Sequence, residues 1–367
     1  MGFKCGLVGL PNVGKSTIFN AITNAGAEAA NYPFCTIEPN VGMVEVPDTR
    51  LQELAVVHKP LKIIPTVMQF VDIAGLVAGA SKGEGLGNAF LGHIREVDAI
   101  MHVVRCFDDG DIVHVSGNVD PVRDAQVIEL ELILKDLDTV EKAIPKLEKM
   151  AKGQDKEAKE AKERVSALYK IKPLLEDAKL AKKADLTEDE LVAMKGLSLL
   201  TMKPLFYCAN VHEDDLLSEN DYVAQLKAYA TENGADVIVI CGKIEEELSD
   251  MEGEDKKMFL ADLGLEESGL DRIVRKGYSI LGLQTYFTAG VKEVRAWTFH
   301  KGWKAPQLAG VIHTDFERGF IRAQTLGFED FRKHGSWAAA KENGAMRTEG
   351  KEYVAQDGDI MEFLFNV

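Results

Sequence analysis

Gly9-Leu10-Pro11-Asn12-Val13-Gly14-Lys15-Ser16-Thr17 is a complete G-x-x-x-x-G-K-S/T stretch, and its reading decides the fold. The apolar run before it (Phe3, Cys5, Leu7, Val8) reads as a short buried strand, and Ile18-Phe19-Asn20-Ala21-Ile22 after it reads as the first turns of a helix. Strand, glycine-rich turn and helix is the context in which such a loop cradles phosphate. The N–H groups of Gly14 to Thr17 would point at a β-phosphate from the positive end of the helix dipole. Asn12, Val13, Gly14, Lys15, Ser16 and Thr17 are then the nucleotide-binding loop. Lys15 reaches the β- and γ-phosphates as a catalytic cation, and the Ser16 hydroxyl is a Mg²⁺ ligand.

Outward from the loop, Asp72-Ile73-Ala74-Gly75 matches D-x-x-G at the end of an apolar strand, Val67–Asp72. Asp72 is expected to hold Mg²⁺ through a water, and the Gly75 amide to sense the γ-phosphate. Thr36, in the intervening loop, is the candidate for the second Mg²⁺-binding hydroxyl. Residues 75–87 contain five glycines and read as a mobile switch or a tight-turn scaffold. Leu76 follows the D-x-x-G, where Ras-like enzymes place a Gln that orients the attacking water. Leu cannot hydrogen-bond water, so that group must come from elsewhere, and slow intrinsic turnover is expected.

Base choice is read after a later strand. A guanine pocket uses Asn-Lys-x-Asp, whose Asp pairs with the guanine N1–H and amino group. Here the position reads Asn210-Val211-His212-Glu213. Val211 cannot supply the Lys stem, and the Glu213 carboxylate sits one methylene too far out. Charged hydrogen bonds are worth about 1.5–3 kcal/mol each, enough to abolish guanine preference when misplaced. Adenine presents an amino group that a backbone carbonyl or Asn210 could accept, so ATP is favoured over GTP.

The chain has 367 residues, 46% of them apolar, so two or three domains are expected. No apolar stretch of about 18 residues predicts a membrane span, and entry into a strand within three residues argues against a signal peptide. Five dispersed cysteines (Cys5, Cys35, Cys106, Cys208, Cys241) with no C-x-x-C pair fit a reduced cytoplasm. Net charge is −16, but residues 279–367 hold 11 Lys/Arg against 11 Asp/Glu. The acidic remainder is a poor nonspecific nucleic-acid binder, so any RNA contact belongs to the neutral C-terminal part.

Strand-like runs at Phe3–Val8, Val41–Val46, Val67–Asp72 and Ile100–Cys106 alternate with helical segments and predict a parallel sheet with helices on both faces. From about 125 to 202 the chain turns Ala-, Lys-, Glu- and Leu-rich. Leu130, Leu134, Leu137 and Ile144, then Val165, Leu168 and Leu175, predict two long antiparallel helices in a coiled-coil-like hairpin. The hairpin is either a docking arm or a plain helical insertion, and Pro145 and Pro173 are expected to start or kink helices. Strand character returns at Pro204–Ala209 and Asp236–Ile240, so the helical segment is an insertion. Residues 244–262 read as an acidic helical stretch. Lys292–Phe299 and Asp359–Phe365 alternate in period two and predict a separate mixed-sheet domain.

Together these motifs resemble the YchF family, the Obg-like ATPases within the Obg branch of P-loop GTPases. The resemblance rests on Gly9–Thr17, Pro33–Thr36, the 72–87 switch, Asn210–Glu213, Thr285–Gly290 and His313–Ala323, and spans essentially the whole chain. It implies an α/β fold: a Ras-like P-loop NTPase domain (1–277) interrupted by the helical hairpin (125–202), plus a C-terminal β-grasp (TGS) domain (278–367). It also implies Mg²⁺-dependent ATP hydrolysis, ribosome association and a negative role in stress responses. In the family a loop histidine replaces the missing Gln, and His114 is the matching catalytic position, with His93 as runner-up. Asn12 is a candidate K⁺ ligand beside the phosphates. Cys35, next to Thr36, is a candidate redox switch or a packed thiol. Trp297, Lys301, Trp303, Lys304, Arg318 and Arg322 are either an RNA-contacting set or core and solvated residues. A mostly monomeric protein is expected. A ribosome-assembly GTPase with a degenerate base motif, or a nucleotide-sensing adaptor, are the competing readings.

Overall fold

The computed structural model describes residues 3–24, 40–73 and 86–366, the last range without the side chains of residues 86–89. In chain order its elements are β1 (Lys4–Val8), α1 (Lys15–Asn24), β2 (Val41–Glu45), α2 (Thr49–His58), β3 (Lys62–Ile64), β4 (Val67–Asp72), α3 (Leu86–Glu96), β5 (Ala99–Arg105), α4 (Pro121–Met150), α5 (Lys156–Glu176), α6 (Glu188–Met194), β6 (Leu205–Asn210), α7 (Asp221–Glu232), β7 (Val237–Ile240), α8 (Gly242–Ser249), α9 (Gly253–Asp262), α10 (Gly269–Ile280), β8 (Leu283–Ala289), β9 (Glu293–His300), α11 (Ala305–Ile312), α12 (Thr314–Arg318), β10 (Phe320–Gly327), α13 (Phe328–His334), α14 (Trp337–Glu342), β11 (Arg347–Glu349) and β12 (Asp359–Phe365). They divide into two compact units, residues 1–43 with 69–273 and residues 44–68 with 274–367.

The first unit holds a six-stranded sheet in the order β2-β4-β1-β5-β6-β7. β4, β1, β5, β6 and β7 pair in parallel. β2 runs the other way at the edge, since Asp72 donates to Asn40 while Val46 donates to Thr66. Every residue of β5 is buried, so both faces of the sheet centre are covered, as crossover helices require. The predicted strands all form. The parallel order places the carboxyl ends of β1, β4 and β6 together, which is where ligands bind in open α/β sheets.

The predicted hairpin is present as α4 and α5. α4 starts at Pro121, earlier than the expected 125, because Asp120 caps it by accepting from the Arg123 N–H and Pro121 fits the first helical turn. Val140, Leu147, Leu168, Ile171 and Leu175 form a core of their own between the two helices. α6 completes the insertion. Its capping box joins Thr187 to Glu190, and Glu190 also accepts from Ser166 and Lys170 of α5. Buried Asp136 of α4 accepts from Leu200 N and Thr201 N and so ties down the returning chain.

Of the two placements expected for the prolines, the helix start is not the one found. Pro145 and Pro173 lie inside α4 and α5 rather than at their starts. An interior proline costs about 3 kcal/mol; here each falls near its helix's C-terminal end, and Ile144 and Leu175 beside them pack into the hairpin core. The acidic stretch 244–262 is likewise two helices, broken at Gly253, whose φ is +57°.

The second unit carries a mixed sheet in the order β11-β10-β12-β8-β9-β3. β12 and β8 pair in parallel, β8 and β9 antiparallel. The edge strand β3 pairs in parallel with β9, Lys62 opposite Glu293. The contiguous boundary expected at 277/278 therefore misses residues 44–68. Leu51 and Leu54 of α2 lie in the same core as Phe287, Val294 and Ile360. Among the described residues no helix is long and apolar enough to cross a membrane.

Candidate functional site

The phosphate loop bridges β1 and α1, as the motif requires. Gly9 is needed because a Cβ there would lie 2.7 Å from the Val103 carbonyl oxygen of β5. Gly14 is needed twice over. Its φ is +89°, and a Cβ would sit 2.1 Å from Asn210 Nδ2. Asn12, exposed, also adopts the left-handed region at φ +63°. Lys15 is buried and ion-paired with Asp72 at the end of β4, while Ser16 is exposed at the start of α1. The structure thus brings together Lys15 and Asp72, residues 57 apart in sequence. Thr36, Gly75, Leu76 and Cys35 lie outside the described residues.

A hydroxyl and a carboxylate are the hard oxygen donors that Mg²⁺ takes beside substrate phosphates, so Ser16 and Asp72 suit that ion. Lys15 supplies the positive charge that holds the Asp72 carboxylate at the loop.

Asn210 lies behind the loop, only 5% exposed. Its Nδ2 donates to the Val13 carbonyl at 3.0 Å, and its Oδ1 accepts from Gly242 N at 2.9 Å. Cys241, the residue before α8, offers no side-chain cap, so Asn210 supplies one from the end of β6. Asn210 is therefore first a strut between the phosphate loop and α8, a role that a search for a base-reading acceptor does not disclose. Val211 is buried, its N–H given to Ile240 O. Glu213 is half exposed, 3.6 Å from Lys243.

His114 is buried in the loop between β5 and α4. Its Nε2 meets Asp124 Oδ2 at 2.8 Å, and Ser116 N donates to its Nδ1 at 3.1 Å. Neighbouring Val113 accepts from Asn12 Nδ2 at 3.1 Å, so the loop touches the phosphate loop. His93 is exposed on α3. Sequence reading missed Arg105, which is 1% exposed and donates to the carbonyls of Phe107, Asp109 and Ile112. A fully buried Arg at a strand end, followed by a loop rich in Asp and Gly, was the available signal.

In the second unit, Trp297 stacks on Tyr286, and the Arg295 guanidinium lies 3.8 Å from its ring centroid. Trp297 and Trp303 pack against the core, whereas Lys301, Arg318 and Arg322 are exposed and Lys304 pairs with Glu352.

A family model for YchF-GTPase_C, described as a protein of unknown function, matches residues 283–366. A second, MMR_HSR1, described as a 50S ribosome-binding GTPase, matches residues 4–162. The chain is 58% identical over 369 residues to the "Ribosome-binding ATPase YchF" of Bacillus subtilis, covering 100% of both. It is 57% identical to the protein of that name from Escherichia coli O157:H7, again over 100% of both. The solved structure of the Schizosaccharomyces pombe YchF GTPase superposes with a TM-score of 0.89 at 42% identity, over 99% of this chain and 98% of that one.

Proposed function

The chain belongs to the YchF family, and we propose that it is a Mg²⁺-dependent P-loop ATPase that prefers ATP to GTP and serves as a ribosome-associated switch in the cytoplasm. The observation that carries the base preference is Asn210-Val211-His212-Glu213 at the end of β6, with Val211 buried and Glu213 drawn towards Lys243. Neither residue offers the Lys stem or the short carboxylate that guanine needs.

In this reading the amides of Gly14 to Thr17 hold the β-phosphate and Lys15 turns from Asp72 to the γ-phosphate. Ser16 and Asp72, with Thr36, would hold the metal, and Gly75 would sense the γ-phosphate. A Mg²⁺ ion held there would neutralise charge developing on the transferred phosphoryl group. His114 orients the attacking water in place of the Gln that Leu76 displaces. Asn12 is the residue that would contact K⁺, and equal rates in KCl and NaCl would remove that role.

Ribosome association is supported by the names of the bacterial relatives and by the description of the N-terminal family model. The parallel pairing of β12 with β8 supports the TGS reading of the C-terminal part. RNA contact there would fall to Trp303, Lys301, Arg318 and Arg322, because Arg295 and Tyr286 lie on Trp297. A second reading, a GTPase, draws on the name of the S. pombe relative. Steady-state hydrolysis of ATP and GTP by the wild type and by His114→Ala tests the proposal. The expected result is faster ATP turnover, lost in the variant while ATP binding is kept. Wild-type turnover in His114→Ala rejects the histidine role.

A further inference from the structure

The loop that carries His114 is inside out. Ile112, Val113 and Val115 are 39%, 77% and 53% exposed, while His114 between them is 7% exposed. Apolar burial cannot hold such an arrangement; specific hydrogen bonds do. The Ser116 N–H occupies His114 Nδ1, which places the proton of the neutral ring on Nε2, and Nε2–H is given to Asp124. Both ring nitrogens are spoken for, and the ring has none to offer a water. Asp124, itself buried at the start of α4, receives Arg123 on its other oxygen at 3.2 and 3.0 Å, and Arg123 is in turn fixed by Asn118.

Two further side chains hold the loop as found. Arg105 grips the carbonyls of Phe107, Asp109 and Ile112 from beneath. Asn12 of the phosphate loop grips the carbonyl of Val113. Gly110 and Gly117 bracket the segment, and Gly117 has φ +84° with open space where a Cβ would stand. Those glycines let residues 111–116 turn over between fixed ends. Turning over would free the imidazole from Asp124.

We propose that Asp124 is a positioning residue that parks His114 with both nitrogens occupied, and that turnover requires this pair to open, with Asn12 coupling the opening to events at the phosphate loop. The inference rests on the reading of His114 as the water-orienting group. The conformer competent for hydrolysis is then a minor population, and the observed rate scales with it.

The test uses full-length protein with Asp124→Asn, which keeps the volume and replaces a charge-assisted bond by a neutral one. Single-turnover ATP hydrolysis is measured with excess enzyme, ATP affinity is measured by equilibrium binding, and the His114 ring is followed by ¹⁵N NMR. Hydrolysis should rise about tenfold, with ATP affinity changed less than about twofold and the ring resonances shifted toward an exposed imidazole. The double variant with His114→Ala should be as slow as His114→Ala alone. An unchanged or slower rate in Asp124→Asn, or a double variant that keeps the acceleration, overturns the parking role. If Asp124→Asn melts early, Asp124→Glu gives a second reading: it keeps the charge but displaces the acceptor, and must also accelerate. Full activity of His114→Ala alone would sink the underlying reading of His114, whereas an inactive His114→Ala beside a slowed Asp124→Asn rejects parking only.

Discussion

Replacing Asn210 by Ala removes one amide and leaves two buried groups without partners, the Val13 carbonyl and the Gly242 N–H. An unsatisfied buried group costs about 1–3 kcal/mol, so losing both partners costs about 2–6 kcal/mol. The Gly242 amide reports this directly, because Cys241 offers no alternative cap and the first N–H of α8 has no partner within its own helix. Native-state hydrogen exchange should show that amide exchanging about 30- to 20,000-fold faster in the variant, at tenfold per 1.4 kcal/mol. Nucleotide affinity should fall with it, since Gly14 rests against the Asn210 amide. Asn210→Asp separates the two halves: its carboxylate still accepts from Gly242 but faces the Val13 oxygen. Gly242 should stay protected there while nucleotide binding is lost. Unchanged Gly242 exchange in Asn210→Ala would refute the strut.

His102, wholly buried on β5 with Nδ1 unpartnered, has its pKa pushed down to about 3 by desolvation. A depressed pKa means stability is present above the unfolded value of 6.5 and is lost as pH falls, by about 1.4 kcal/mol per unit towards 3. His102→Phe should flatten the urea-unfolding profile between pH 6.5 and 4.5; an equally steep profile refutes this. Glu190 is held down to about 2, first by the Lys170 ammonium, then by Ser166 and the Thr187 N–H. Its contribution to the hairpin should be present above pH 4.5 and vanish as pH falls towards 2, and Glu190→Gln should remove that acid dependence from hydrogen exchange in α6. Arg105→Met leaves the carbonyls of Phe107, Asp109 and Ile112 without their donor, so the loop amides near His114 should exchange at least tenfold faster while those of β5 stay protected.

The sheet was legible because its strands are continuous apolar runs and because the phosphate loop dictates a strand before it and a helix after it. The hairpin was legible as two helical runs, but its first stripe was misplaced: Leu130 is 44% exposed, and Ile133, Val140 and Leu147 supply the buried face of α4, with Leu137 and Ile144 beside them. β3 was not: Lys62-Ile63-Ile64 is too short for any periodicity, and only its pairing with Glu293–Arg295 makes it a strand. The same long-range pairing hid the assignment of residues 44–68. In the site, Lys15 and Asp72 could be read from motifs that carry their own context. The strut role of Asn210 spans 197 residues to Val13, and the Asp124 contact depends on a loop fold that no local pattern encodes.

The central claim is the choice of base, and equilibrium binding tests it most directly. Fluorescent ATP and GTP analogues would be bound to the purified full-length protein with Mg²⁺ and competed with unlabelled nucleotides. ATP should be preferred by tenfold or more, about 1.4 kcal/mol. A preference for GTP would contradict it and put the guanine-nucleotide reading of Asn210–Glu213 in its place.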